Sequence, residues 1–144
     1  MRFMMIVKAT RHSEAGIKPT RELVDAMKAY NEELAKAGVL LAAEGLQPSS
    51  GGLRISYPIP GGMPNVTAGP FEEANELIAG FTLIDVKSEE EAYEWAIRMP
   101  DPHGFGEGEI ELRQVFEAAE LIRDPRILAM EADLRDQIDM INKK

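Results

Sequence analysis

The apolar residues of this chain recur with two periods. In some stretches every second residue is apolar, and in others the spacing is three to four residues. The first period predicts strands at residues 2–9, 39–46, 53–57, 65–67, 76–86 and 109–116. Residues 2–9 and 81–86 are apolar at most positions, which is typical of a strand that is covered on both faces.

The second period predicts a helix that begins after Thr20 and ends at Gly38. Thr20 suits the N-cap position, and apolar residues recur at helical spacing from Leu23 to Ala37. Gly38 is the residue type expected just past a helix C-terminus.

Two further helices follow from their terminal residues. Ser88-Glu89-Glu90-Glu91 predicts a capping box, and Pro100 ends the helix that it begins. Asp124-Pro125 predicts the start of a last helix. Its apolar residues form a narrow seam: Ile127, Leu134, Ile138 and Ile141.

This order of elements predicts an α+β fold of the ferredoxin-like, split βαβ type, with an antiparallel sheet, extra hairpin strands and a C-terminal helix. Residues 1–117 form the domain and residues 118–144 a helical extension. Two main helices cover only one face of the sheet. We therefore expect a homodimer in which two sheets pack face to face.

Composition excludes several functions. The chain has 144 residues, the usual size of one domain, and no cysteine, so disulfides, thiol nucleophiles and cysteine-based zinc sites are excluded. A net charge of −9 argues against a nucleic-acid partner. No apolar run is long enough to span a membrane and the N-terminus is not a signal peptide, so we expect a cytoplasmic protein. Nothing predicts a cofactor.

Three well-spaced motifs occur in the first part of the chain: Glu44-Gly45-Leu46-Gln47-Pro48, Gly69-Pro70-Phe71-Glu72-Glu73 and Ile78-Ala79-Gly80-Phe81. They resemble segments of the YCII-related proteins, in particular of their DGPF subgroup, and the resemblance covers roughly residues 1–117. It implies a dimeric α/β-barrel of ferredoxin-like fold, in a family of mostly unassigned activity. Relatives in the wider superfamily act on small organic molecules, and a His/Asp pair has been suggested as their catalytic dyad. The aspartate that names the subgroup is Ala68 here.

The candidate catalytic residues are His12 and His103. His12 follows the first strand, where Lys8 and Arg11 would add positive charge for an anionic ligand. His103 lies in a glycine-rich loop near Asp101. Each histidine can equally be an exposed loop residue. No spacing of ligands predicts a metal site.

Three further residues are candidates for ligand binding. Arg54 is a cation on a predicted strand, Thr67 lies on the strand that follows it, and Phe71 follows the Gly69-Pro70 turn. The arginine can bind a carboxylate of a ligand or of the protein itself, and the phenylalanine can form a pocket wall or fill the core.

Three functions remain open on these residues. The first is a homodimer that binds a small organic molecule, with an anion as the narrower expectation. The second is an enzyme of lyase, isomerase or dehydrohalogenase type that uses a histidine as general base. The third is a structural or regulatory interaction module whose C-terminal seam binds a partner helix.

Overall fold

The computed structural model describes residues 1–118 and 125–142. The chain divides into two compact units, Met1–Gln114 and Val115–Lys144. The helix and strand bounds of the first unit follow in one series: β1 (Arg2–Lys8), α1 (Arg11–Glu14), α2 (Arg21–Lys36), β2 (Leu40–Gly45), β3 (Leu53–Ser56), β4 (Asn65–Ala68), β5 (Ile78–Asp85), α3 (Glu89–Ile97) and β6 (Ile110–Gln114).

Four strands form an antiparallel sheet in the order β2-β5-β1-β6, while β3 and β4 form a separate two-stranded hairpin. The central strand β5 pairs with both β1 and β2, so these two strands are parallel to each other with β5 between them. This is the split βαβ arrangement, and the predicted α+β, ferredoxin-like fold is confirmed.

The core lies between one face of the sheet and the helices α2 and α3. Phe3 and Met5 of β1 and Ile84 of β5 contribute the sheet side. The helices contribute the opposite side, chiefly Tyr30 and Leu34 of α2. Alternate residues point to opposite faces of a strand, so burial at residues 3 and 5 follows from the period of two.

The predicted helix ends are confirmed for α2 and α3. Thr20 Oγ1 accepts a hydrogen bond from the Leu23 N–H at 3.2 Å, and Gly38 has a φ of 75°, which L side chains rarely adopt. Ser88 accepts from the Glu91 N–H at 3.1 Å. Glu91 in turn accepts from the N–H of Lys87, one residue before the cap, rather than from Ser88.

One local element was not predicted. His12 was considered as an exposed loop residue after the first strand, but Arg11–Glu14 form the short helix α1. Thr10 Oγ1 accepts the Ser13 N–H at 3.2 Å, and the Thr10 N–H donates to Ser13 Oγ at 2.8 Å, so both residues cap the turn reciprocally. A threonine three residues before a serine was the missed signal.

The second unit contains the helix α4 (Pro125–Asn142). Leu134, Ile138 and Ile141 of the predicted seam are more than half exposed. The Asp124 cap and the Ile127 side chain lie outside what the structure describes. Binding of a partner helix to this seam stays a prediction. No helix in the described ranges combines the length and the apolar character that crossing a membrane requires.

Candidate functional site

A cavity of about 540 Å³ opens at the end of the sheet where β1 and β2 finish and β5 begins. We call it the outer cavity; it is lined by residues 12–13, 16–19, 45–48, 79, 102, 103 and 105. Its volume is within the usual range of small-molecule sites, about 300–1,000 Å³. The structure brings both predicted histidines, His12 and His103, to this one cavity.

His12 is held by the cap of α1 and by two side chains from the loop before β6. Its Nδ1 lies 3.0 Å from Glu107 Oε2, and its ring stacks on Phe105 with the centroids 4.2 Å apart. A carboxylate only accepts hydrogen bonds, so Nδ1 carries the proton, and in the neutral ring Nε2 is left as the basic nitrogen. The hydrogen bond from His12 holds the pKa of Glu107 below its ordinary value. A histidine oriented by a carboxylate is the arrangement that a general base needs.

His103 is oriented by the main chain. Its Nε2 lies 2.8 Å from the carbonyl oxygen of Lys8, and a carbonyl can only accept, so Nε2 is the protonated nitrogen. Asp101 does not pair with this imidazole. Its carboxylate accepts the backbone N–H groups of Gly106 at 2.8 Å and of His103 at 3.3 Å.

The bond from Gly106 is the main reason that the pKa of Asp101 lies below its ordinary value. Gly106 itself has a φ of 73°, so a glycine suits the position at which the loop turns back towards Asp101. Asp101 therefore stabilises the loop that carries His103 and Phe105, and it does not orient the imidazole.

The ionisable side chains that line the outer cavity are all basic. They are His12, Lys18 and His103, and no carboxylate is among its described lining residues. The remaining wall is largely apolar and includes Ile17 and Leu46. This arrangement favours a small ligand with negative charge and some apolar surface.

A second, smaller cavity of about 220 Å³ adjoins the outer one, and we call it the inner cavity. Both are lined by Gly45, Ala79, Pro102 and His103. The inner cavity lies between α2 and the sheet. Its volume exceeds the roughly 150 Å³ that accommodates a benzene molecule, so it has room for a small organic group.

Lys8 and Arg11 do not line the cavity of the histidines. They border a separate pocket of about 580 Å³, together with Glu72, Glu73, Glu107 and Glu109. Arg11 also lies 3.5 Å from Glu107, which is bonded to His12. Four carboxylates against two cations make this pocket a poor place for an anion.

The three remaining candidates lie around the hairpin. The Arg54 guanidinium lies 4.0 Å from the centroid of the Phe71 ring, a cation–π contact, and Thr67 is the cross-strand neighbour of Arg54. Phe71 is half-buried and lines a cavity of about 240 Å³ with Leu46 and Pro48, outside the main core. None of the three borders the outer cavity.

Glu107, Phe105 and Lys18 were missed by the sequence analysis. Glu107 is 95 residues from His12, so no local motif joins them. The signal was topological. In a ferredoxin-like sheet the first strand pairs with the last strand. Here these strands are β1 and β6, and Val7 lies opposite Ile110, so the residues after β1 meet the residues before β6.

No cluster of three or more potential metal-binding side chains is present in the part of the chain that the structure describes. The family model of the YCII-related domain matches residues 1–119 of the chain. A comparison with curated proteins finds no match.

Proposed function

This chain belongs to the YCII-related family, and on that premise we propose that it binds a small organic anion in the outer cavity. The observation that carries the proposal is the convergence of His12, Lys18 and His103 on one cavity without a facing carboxylate from the described lining. The electrostatic attraction between an anion and basic side chains is strongest where several such side chains converge and water is partly excluded. The narrower DGPF assignment stays a prediction based on Gly69-Pro70-Phe71.

The hydrogen bonds described above give the two histidines different roles. His12 offers Nε2 as an acceptor when neutral and as a donor when protonated, since Nδ1 is committed to Glu107. His103 keeps Nε2 on the Lys8 carbonyl, so its Nδ1 is the nitrogen left for a ligand. Lys18 supplies a charge that does not depend on histidine protonation at neutral pH.

Binding can be tested by titration calorimetry with butanoate and with butanamide, its neutral analogue. We expect butanoate to bind and butanamide to bind at least about tenfold more weakly, since one charge-assisted contact contributes about 1.5–3 kcal/mol. Lys18→Ala should weaken butanoate binding. Lys8→Ala is the matched control, because it removes the same charge from the acidic pocket. Equal affinity for the two probes, or equal loss in the two variants, would contradict the proposal.

We also propose that the protein is a homodimer through the sheet face opposite α2 and α3. The registers place Met4 opposite Leu83 and Ile6 opposite Phe81, so the four side chains form one apolar patch on this face. Arg113 borders the patch beside Met4, and Glu111 borders it beside Ile6. An apolar centre with charges of both signs at its border suits a self-complementary, two-fold interface.

The hairpin supports the same proposal. Every residue of β3 and β4 is exposed, and Leu53, Ile55 and Val66 are apolar side chains among them. An isolated two-stranded hairpin is only marginally stable in water, so apolar side chains at this density favour a covering partner.

Light scattering coupled to size exclusion tests the dimer. We expect a mass of two chains at micromolar concentration for the wild type. Ile6→Glu would place an unpaired charge in the centre of the patch and should give one chain, because burying such a charge costs several kcal/mol. Glu111→Gln, at the border, is the control and should leave the dimer intact. A single-chain mass for the wild type would refute the interface.

The bond between His12 and Glu107 favours a second candidate function, proton abstraction from a carbon next to a carbonyl group. In this step His12 Nε2 takes the proton and the C–H electron pair forms an enolate. The Glu107 carboxylate, which accepts the hydrogen bond from Nδ1–H, stabilises the positive charge of the resulting imidazolium. Return of a proton to the same or another carbon gives exchange or isomerisation.

Exchange of the C3 hydrogens of 2-oxobutanoate in D₂O, followed by proton NMR, tests this activity without knowledge of the natural substrate. We expect exchange above the buffer rate with the wild type, a loss of at least about 100-fold in His12→Ala, and an intermediate loss in Glu107→Gln. His103→Ala is the comparison that separates the two histidines. An identical rate in wild type and His12→Ala would refute the base.

A further inference from the structure

Polar side chains line part of the inner cavity, and they are not needed to bind an anion in the outer cavity. It is lined by Asn31 and Met27 of α2, by Thr82 and Val7 of the sheet, and by His103 at its boundary with the outer cavity. Thr82 is almost completely buried. Because His103 borders both cavities, a ligand bound at this side chain can extend a second group between α2 and the sheet.

Two glycines form part of the wall of this space. Gly45 of β2 lies opposite Gly80 of β5. A Cβ built on Gly45 meets no atom within 4 Å, so its side of the cavity is open. A Cβ on Gly80 would lie 2.7 Å from the carbonyl oxygen of Glu44, so this position requires close backbone approach.

Asn31 has an unmet hydrogen-bonding requirement. Its Oδ1 is buried and has no hydrogen-bond partner among the residues that the structure describes. A buried acceptor without a donor is unfavourable, and most such atoms in folded proteins are paired. The terminal amide torsion of asparagine is soft, so a small rotation can turn this oxygen towards a group in the cavity.

We propose that the inner cavity selects organic acids that carry a hydrogen-bond donor, an amide N–H or a hydroxyl, and that Asn31 is the specificity-determining residue. The inference rests on the proposed function of the outer cavity, which binds the anionic end. The donor at the other end of the ligand meets Asn31 Oδ1. This hydrogen bond to Asn31 Oδ1 forms only when the ligand carries a donor, since a methyl group leaves the acceptor unpaired.

Matched probes test this inference. Succinamate and 4-oxopentanoate differ by an amide NH₂ in place of a methyl group, with nearly the same shape and the same carboxylate. Glutaramate and 5-oxohexanoate repeat the comparison with one more methylene. We expect calorimetry on the wild type to show the amide about three- to tenfold tighter in at least one pair, the ratio that one net hydrogen bond provides.

Asn31→Leu separates a specific contact from general polarity. The substitution is similar in size and removes the unpaired oxygen, so the folded protein should be at least as stable as the wild type in thermal unfolding. In this variant the amide and methyl probes should bind within about twofold of each other. A ratio near one in the wild type, or a ratio that survives Asn31→Leu, would overturn the inference.

The same experiments distinguish this inference from the proposed function. If both members of each pair bind equally and Lys18→Ala weakens both, the outer cavity binds anions and the role of Asn31 is refuted. If none of the four probes binds, the proposed function fails. Gly45→Val adds a direct test of the space, because its side chain extends from an open position that both cavities share. It should remove the preference for the amide.

Discussion

Replacing Tyr30 by phenylalanine tests how α2, the helix that carries Met27 and Asn31, is held on the sheet. The Tyr30 side chain is buried, and its hydroxyl donates to the carbonyl oxygen of Trp95 in α3 at 2.6 Å. The same hydroxyl lies 3.4 Å from Met5 Sδ. One oxygen atom of α2 therefore contacts both the helix α3 and the strand β1.

At neutral pH the variant should lose about 1 kcal/mol of unfolding free energy. The phenyl ring keeps its packing, and the net contribution of one hydrogen bond is about 0.5–1.5 kcal/mol. The Trp95 carbonyl is not left without a donor, because the Arg98 N–H also donates to it at 3.2 Å. The loss of unfolding free energy should therefore be smaller than the cost of leaving a buried acceptor without any donor, which is about 1–3 kcal/mol.

At alkaline pH the difference should reverse. Burial raises the pKa of Tyr30 to about 12 from an ordinary value of 10.0. A raised pKa in the folded state means that the stability is complete below pH 10 and falls as the pH rises towards 12, because only the unfolded state loses its proton there. By about pH 11 the wild type should lose roughly 1.4 kcal/mol that the phenylalanine variant keeps.

Urea unfolding at pH 7 and at about pH 11 measures both values, with Trp95, the single tryptophan, as fluorescent reporter. The other titrating groups occur in both proteins, so their contributions cancel in the difference in unfolding free energy between wild type and variant. We expect the variant to be less stable at pH 7 and equal or slightly more stable at about pH 11. The same difference at both pH values would refute burial of the hydroxyl as the cause.

Three further outcomes follow from the structure. Gly80→Ala should destabilise the protein by about 1–3 kcal/mol in urea unfolding, since its Cβ would lie 2.7 Å from a backbone oxygen, whereas Gly45→Ala should change stability by less than about 0.5 kcal/mol. Asp101→Asn should lower the melting temperature near pH 6. This gap should shrink as the pH falls below the ordinary value of 3.8 and through the lower pKa of the folded state, because the wild-type carboxylate is then protonated as well. Leu34→Ala, at a completely buried position, should cost about 2–5 kcal/mol, and a loss no larger than that of half-exposed Leu41→Ala would contradict the core described here.

Much of the fold could be predicted because it depends on local patterns. Strand alternation, the caps at Thr20 and Ser88 and the stop at Gly38 each act within a few residues, so the sequence specifies them directly. The Arg11–Glu14 helix was missed although its cap is also local. The extra hairpin strands were also predicted, but their separation from the four-stranded sheet was beyond these patterns, because it depends on packing between segments that are distant in the chain.

The sequence by itself determined which residues are capable of chemistry, among them His12 and His103, because side-chain type sets what can titrate or bind a proton. Only the tertiary structure decided what they contact. It placed both histidines in one cavity, gave His12 the carboxylate of Glu107, and left Lys8 among glutamates elsewhere. The physical reason is that these contacts join the ends of β1 and β6, and the antiparallel pairing of those strands sets distances that no spacing along the chain contains.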